Sequence, residues 1–186
     1  MDRSTSPISI PNILTLLRIL LTPLFLILLL RGMYSHALAV FVVAGVSDGL
    51  DGLIARLFNQ RTVLGAYLDP MADKLLLVSS FVALAILEVI PGWLAVIVIA
   101  RDVIIVLGIA ILTLTAKPYE IKPTIVSKCT TTAQLLLIIA VLFDPAGIKL
   151  VMLHPILIWT AAILTILSGL HYIYIGMTIL QDVSEK

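Results

Sequence analysis

Residues 48–73 read DGLDGLIARLFNQRTVLGAYLDPMAD and set four aspartates, Asp48, Asp51, Asp69 and Asp73, inside otherwise apolar segments. A carboxylate at mid-bilayer costs roughly 2.5–3.5 kcal/mol on insertion scales, so four unpaired ones would cost on the order of 10 kcal/mol. A positive charge must offset them, and the string is the chemical centre of the chain.

The surrounding sequence explains why these aspartates meet a membrane at all. Of the 186 residues, 61% are hydrophobic and only 12% charged, with a mean hydropathy of +1.17, a composition that no soluble domain has. Apolar runs near 12–31, 35–57, 66–90, 92–116, 127–143 and 153–180 approach the ~20 residues that cross a bilayer. They predict an all-α integral membrane protein with six transmembrane helices. The first run is long, holds Arg18 and Pro23, and lacks a small-residue cleavage site, so it reads as a helix and not as a signal peptide.

With no Ser/Gly linker, low-complexity tract or internal repeat, residues 1–186 read as one membrane domain. The longest loop is AKPYEIKPT, residues 116–124, where two prolines end the fourth helix. Arg3, Arg56, Arg61, Lys117, Lys122 and Lys186 flank one side and Arg31 and Lys149 the other, which predicts that both termini are cytoplasmic. No long Arg- and Ser-rich stretch precedes the first run, and the expected location is a bacterial inner membrane. A net charge of +1 offers no field for nucleic acid, and Cys129 alone makes no intrachain disulfide.

Asp48 and Asp51 are three residues apart and Asp69 and Asp73 four, so each pair projects from one face of its helix. The predicted topology puts both pairs at similar depth. Hard carboxylate oxygens around one point suit Mg²⁺ or Mn²⁺, and His36, His154 and His171 lie elsewhere in the sequence. Gly45 and Gly49 fit close helix packing. Gly52, beside Asp51 and one turn before Arg56, would let a ligand approach the backbone, and the Arg56 guanidinium suits a phosphate.

The string fits D-x-x-D-G-x-x-A-R-x8-G-x3-D-x3-D at all eight specified positions: Asp48, Asp51, Gly52, Ala55, Arg56, Gly65, Asp69 and Asp73. In this it resembles the CDP-alcohol phosphatidyltransferases. The resemblance implies six transmembrane helices, a homodimer, and two divalent metals held by the aspartates against the pyrophosphate of a CDP-linked lipid. Carried onto this sequence, it makes Asp48, Asp51 and Asp69 metal ligands, with Asp73 at the metals as general base. Gly52, Ala55, Arg56 and Gly65 would line the CDP-lipid side. The implied reaction is phosphatidyl transfer from CDP-diacylglycerol to an alcohol with release of CMP. No Ser, Cys or His stands beside the cluster as an obvious nucleophile, so direct displacement is expected.

Three further stretches, IPNILTLLR at 10–18, ARDV at 100–103 and KPTIVSKCTTTAQ at 122–134, resemble the branch that makes anionic glycerophospholipids. Arg101 in a membrane span is as expensive as an aspartate. Its neighbour Asp102 points about 100° away on a helix and is expected to pair poorly. Arg18, Arg101 and Lys128 together would form a basic pocket for the acceptor's phosphate. The glycerol-phosphate branch is expected to carry Arg-Glu in the fourth helix and a second arginine two turns on, where this chain has Arg101-Asp102 and Ile109. The strings look closer to the cardiolipin synthases, whose acceptor is phosphatidylglycerol, with glycerol-3-phosphate as the alternative.

A divalent-cation transporter would also place carboxylates in a membrane, but transporter sites favour broken helices between repeated halves. Here the aspartates sit on one hairpin. Trp93, Trp159, Tyr172 and Tyr174 read as interfacial anchors near span ends, and His171 as a packing residue.

Overall fold

A computed structural model describes residues 10–57, 63–115 and 124–184, with side-chain detail for all of these except 10–12, 50–57, 63–67, 70, 112–115, 180 and 182–184. The described residues form six helices and no strand: α1 (Ile10–Leu30), α2 (Tyr34–Leu57), α3 (Val63–Ile86), α4 (Gly92–Thr115), α5 (Ile125–Phe143) and α6 (Leu153–Ser184). Each covers an apolar run of the sequence. α3 departs most from expectation, ending at Ile86 where the apolar run continues to 90. Glu88 lies in the left-handed region (φ 57°), which few non-glycine residues adopt and which breaks the helical path. Pro91 then keeps residue 90 away from helical dihedrals, and α4 restarts with Leu94 N–H bonding the Pro91 carbonyl at 3.0 Å.

Among the described residues, four segments are long and apolar enough to cross a membrane: Ile13–Leu30, Gly92–Ile111, Ile125–Phe143 and Leu153–Ile179. They belong to α1, α4, α5 and α6.

The helices group into two compact units, one ending at Leu87 and the other starting at Glu88. In the first, α1 packs against both α2 and α3. Phe25 and Leu29 of α1 meet Ala37, Phe41 and Ala44 of α2 in a buried core, with the Phe25 and Phe41 rings 5.6 Å apart. Gly32 (φ 71°) closes α1: Met33 N–H reaches back to the Leu28 carbonyl at 2.9 Å, a helix-ending turn that a side chain at this position would strain. Among the described residues, a Cβ at Gly45 or Gly49 would meet nothing within 4 Å, so neither glycine is required there for close helix packing.

In the second unit α6 packs against α4 and α5. Its core combines Leu94 and Val98 with Leu137, Ile138 and Val141, and with Ala161 and Ala162, whose small side chains admit the neighbouring helices. Polar bonds cross the α5–α6 contact: the Thr130 hydroxyl donates to the Leu164 carbonyl at 2.9 Å, and the Gln134 amide to the Thr165 hydroxyl at 3.0 Å. Trp93 and Trp159 prove to be partners, with ring centroids 5.6 Å apart.

Thr124 caps α5, its side chain accepting from Ser127 N–H at 3.2 Å. Beyond the other end, buried Asp144 accepts from the backbone N–H groups of Ile148 (3.3 Å), Lys149 (2.7 Å) and Leu150 (2.7 Å). Burial alone would raise the Asp144 pKa, but these three donors and the nearby His154 outweigh it and hold the carboxyl below its ordinary 3.8.

Candidate functional site

The site is organised by α1. Thr15, Arg18, Thr22, Phe25 and Leu29 follow a 3-4-3-4 spacing that puts them on one helix face, and all five are buried. The opposite face, with Ile13, Leu16, Leu20, Leu24 and Ile27, is exposed. A water-soluble helix would have the reverse arrangement. In a bilayer the apolar face meets lipid tails, and the polar half of the buried stripe meets the aspartates.

Arg18 is 1% exposed. Its Nη2 lies 2.9 Å from Asp48 Oδ1 on α2, and its Nη1 lies 2.6 Å from Asp73 Oδ1 on α3. One turn earlier the Thr15 hydroxyl donates to Asp69 Oδ1, also on α3. Three of the four aspartates are thus tied to α1, and Arg18 is the offsetting cation that the sequence demands. Asp48 and Asp73 nevertheless stay open, with 44% and 45% of their side chains exposed. Among the described residues no three His, Cys, Asp or Glu side chains converge closely enough to hold a metal by themselves. The Asp51 side chain lies outside the described residues, as do those of Ala55 and Arg56, although their backbone continues α2; Gly52 is likewise in α2 and Gly65 in the first turn of α3.

Arg101 belongs to the second unit and is also buried. Its Nη1 bonds Asp102 Oδ1 at 2.6 Å, its Nη2 bonds Ser127 Oγ at 2.6 Å, and its Nε and Nη2 reach Ser168 Oγ at 3.2 and 3.1 Å. The expectation that Arg101 and Asp102 pair poorly fails. The arginine stem is long enough to turn back towards its neighbour, and burial removes the water that would otherwise compete. One guanidinium therefore links α4, α5 and α6. Lys128, next to Ser127, is exposed.

Residues 8–167 match the model of the family described as CDP-alcohol phosphatidyltransferase. The chain belongs to that family. It is 32% identical over 197 residues to the cardiolipin synthase (CMP-forming) of Homo sapiens, taking in 97% of this chain and 65% of that protein. The chain thus spans just under two thirds of the length of this relative. It is 41% identical over 111 residues to the cardiolipin synthase (CMP-forming) of Streptomyces coelicolor, covering 56% of this chain and 52% of the other. To the CDP-diacylglycerol–glycerol-3-phosphate 3-phosphatidyltransferase of Bacillus subtilis it is 30% identical over 181 residues, 88% of this chain and 93% of that enzyme.

For a phosphatidyltransferase that uses divalent metals, the donor chemistry fits. Asp48, Asp69 and Asp73 offer only hard oxygen atoms, which suit Mg²⁺ or Mn²⁺, and each already holds a partner of the kind that orients a metal-binding carboxylate. The role of Thr15 was not evident from the aspartate string. Its signal lies in the spacing to Arg18 and Thr22, which marks it as part of a polar face on an otherwise apolar helix.

Proposed function

We propose that the chain transfers the phosphatidyl group of CDP-diacylglycerol to a glycerol-containing acceptor with release of CMP, and that the acceptor is phosphatidylglycerol, giving cardiolipin. The carrying observation is the gathering of Asp48, Asp69 and Asp73 by α1 in a chain whose signature string is complete. Asp48, Asp51, Asp69 and Asp73 would hold Mg²⁺ or Mn²⁺, two ions per site, and bound cations would supply neutralisation of the pyrophosphate and of the departing CMP. Gly52, Ala55, Arg56 and Gly65 line the CDP-lipid, the glycines admitting it close to the backbone and Arg56 bonding a phosphate.

Asp73 takes the proton of the acceptor hydroxyl. The hydroxyl oxygen then bonds to the lipid-bearing phosphorus as the bond from that phosphorus to the CMP oxygen breaks. A single displacement inverts phosphorus, and retention with a chirally labelled substrate would count against it. Lys128 meets the acceptor's phosphate, and Arg101 fixes the start of α5 through Ser127, one residue before it.

In this reading all six helices belong to one membrane domain, the enzyme is a homodimer, and the basic residues of the aspartate side face the cytoplasm with both termini. The membrane of this reading is a bacterial inner membrane. The B. subtilis name also supports a second reading with glycerol-3-phosphate as acceptor. The absence of an arginine at Ile109 and the cardiolipin synthase names favour phosphatidylglycerol. Purified protein given CDP-diacylglycerol, Mg²⁺ or Mn²⁺ and either acceptor separates them. Cardiolipin supports the first reading, phosphatidylglycerophosphate the second, and no CMP from either refutes both.

A further inference from the structure

The sequence suggests that Arg18 belongs with Arg101 and Lys128 at the acceptor, but the structure commits its guanidinium to two carboxylates. Those carboxylates come from different helices, Asp48 from α2 and Asp73 from α3, and both helices pack on α1. The relative placement of the two aspartate pairs is therefore transmitted through α1. A guanidinium is suited to this, because its planar fork presents donors in fixed directions and it stays charged. Without it, two like charges would face each other in a medium that screens them poorly.

Arg18 also keeps these partners when cations bind. At 1% exposure Arg18 would lose two carboxylate partners in a buried setting if both turned away, which is the costly way to break a buried pair. Asp48 and Asp73 have nearly half their surface open, so cations can approach from the exposed side while Arg18 holds the other. Thr15 does the same for Asp69 with a neutral hydroxyl.

We propose that Arg18 and Thr15 are positioning residues of the divalent-cation site, with Arg18 setting Asp48 against Asp73 and Thr15 orienting Asp69. This rests on the reading that the aspartates hold Mg²⁺ or Mn²⁺. Neither residue touches substrate. Their loss changes how well the carboxylates receive a cation.

The test is Mn²⁺ binding to the full chain in nanodiscs without lipid substrate, with free Mn²⁺ read from its electron paramagnetic resonance signal. Loss of an outer partner typically lowers metal affinity 10–100-fold, so Arg18→Met should raise the Mn²⁺ Kd by about that factor with the number of sites per chain unchanged. Arg18→Lys keeps the charge without the fork and should recover part of the loss. Thr15→Val, which removes one neutral hydrogen bond, should raise Kd about 2- to 10-fold. In CMP-release assays the Arg18→Met deficit should lie in the Mn²⁺ concentration needed and shrink at saturating metal. Fewer sites at an unchanged Kd would mean that Arg18 only helps the protein fold, and would overturn the inference. If Arg18→Met does not fold, wild-type affinity in both Arg18→Lys and Thr15→Val overturns it equally. A wild-type chain that binds no Mn²⁺ is a different result, since it refutes the metal reading itself.

Discussion

Arg101→Met separates the structural work of a buried arginine from any part in acceptor binding. Arg101 and Asp102 are each 7% exposed and are bonded at 2.6 Å. Removing the guanidinium strands the carboxylate, and breaking a buried pair from one side costs about 3–5 kcal/mol. The serine bonds add less, because interhelical hydrogen bonds in membranes average only about 0.6 kcal/mol each. Methionine retains most of the stem, and so retains contact with α6, where a Cβ on Gly169 would stand 3.7 Å from Arg101 Cγ. The charge term therefore decides the outcome. At about 2–4 °C per kcal/mol for a chain of this size, Tm should fall by roughly 6–20 °C.

Tryptophan fluorescence in detergent micelles can follow this unfolding, because Trp93 and Trp159 lie in the same unit as Arg101. The double variant Arg101→Met/Asp102→Asn carries no stranded charge and should recover much of the loss. A Tm shift below about 3 °C, or a double variant no better than the single one, would refute the reasoning. The double variant also isolates function. If it is stable yet needs far more phosphatidylglycerol at an unchanged CDP-diacylglycerol requirement, Arg101 contacts the acceptor; recovered kinetics leave it the role of holding α5.

Asp73→Asn should keep CDP-diacylglycerol binding, measured by equilibrium dialysis, and lower turnover by about 100-fold or more, as loss of a general base does; near-normal turnover removes Asp73 from that role. EDTA should abolish CMP release, and added Mg²⁺ or Mn²⁺ should restore it. Asp144 has a pKa lowered in the folded state, so its contribution is present above its ordinary 3.8 and is lost as pH falls through the lower folded value. Wild type should thus lose more stability than Asp144→Asn between pH 5 and the acid limit of folding, read by the same fluorescence. Parallel curves would refute the link.

Much of this was readable beforehand because bilayer physics is severe. Apolar runs of near-spanning length predict helices with little competition, and charges inside them are too costly to be accidental. Where hydropathy failed, the cause was local or tertiary. Glu88 turns left-handed within a run that hydropathy continues to residue 90, and no apolar count registers a single dihedral. Arg18 was visible as a cation in an apolar helix, but whether it faced a substrate or a neighbouring helix depended on α1 packing against both aspartate helices. Arg101 and Asp102 were read by the angle between adjacent side chains, which neglects how far an arginine reaches when buried.

The same charges constrain what the site must still acquire. If all four aspartates share one site as proposed, Arg18 offsets one of their four negative charges, and the pyrophosphate of a CDP-linked lipid would bring about two more. Held this close together, such charges would repel a CDP-linked lipid. With Arg56 at the CDP-lipid as proposed, a single divalent ion would still leave a deficit of two, whereas two divalent ions would close it. Arg18 and Thr15 tie three of the four aspartates to α1, but they cannot make the site attractive to a pyrophosphate. The buried arginine thus explains how the fold carries its carboxylates, and the unmet remainder is the physical reason to expect a pair of metal ions where the CDP-lipid binds.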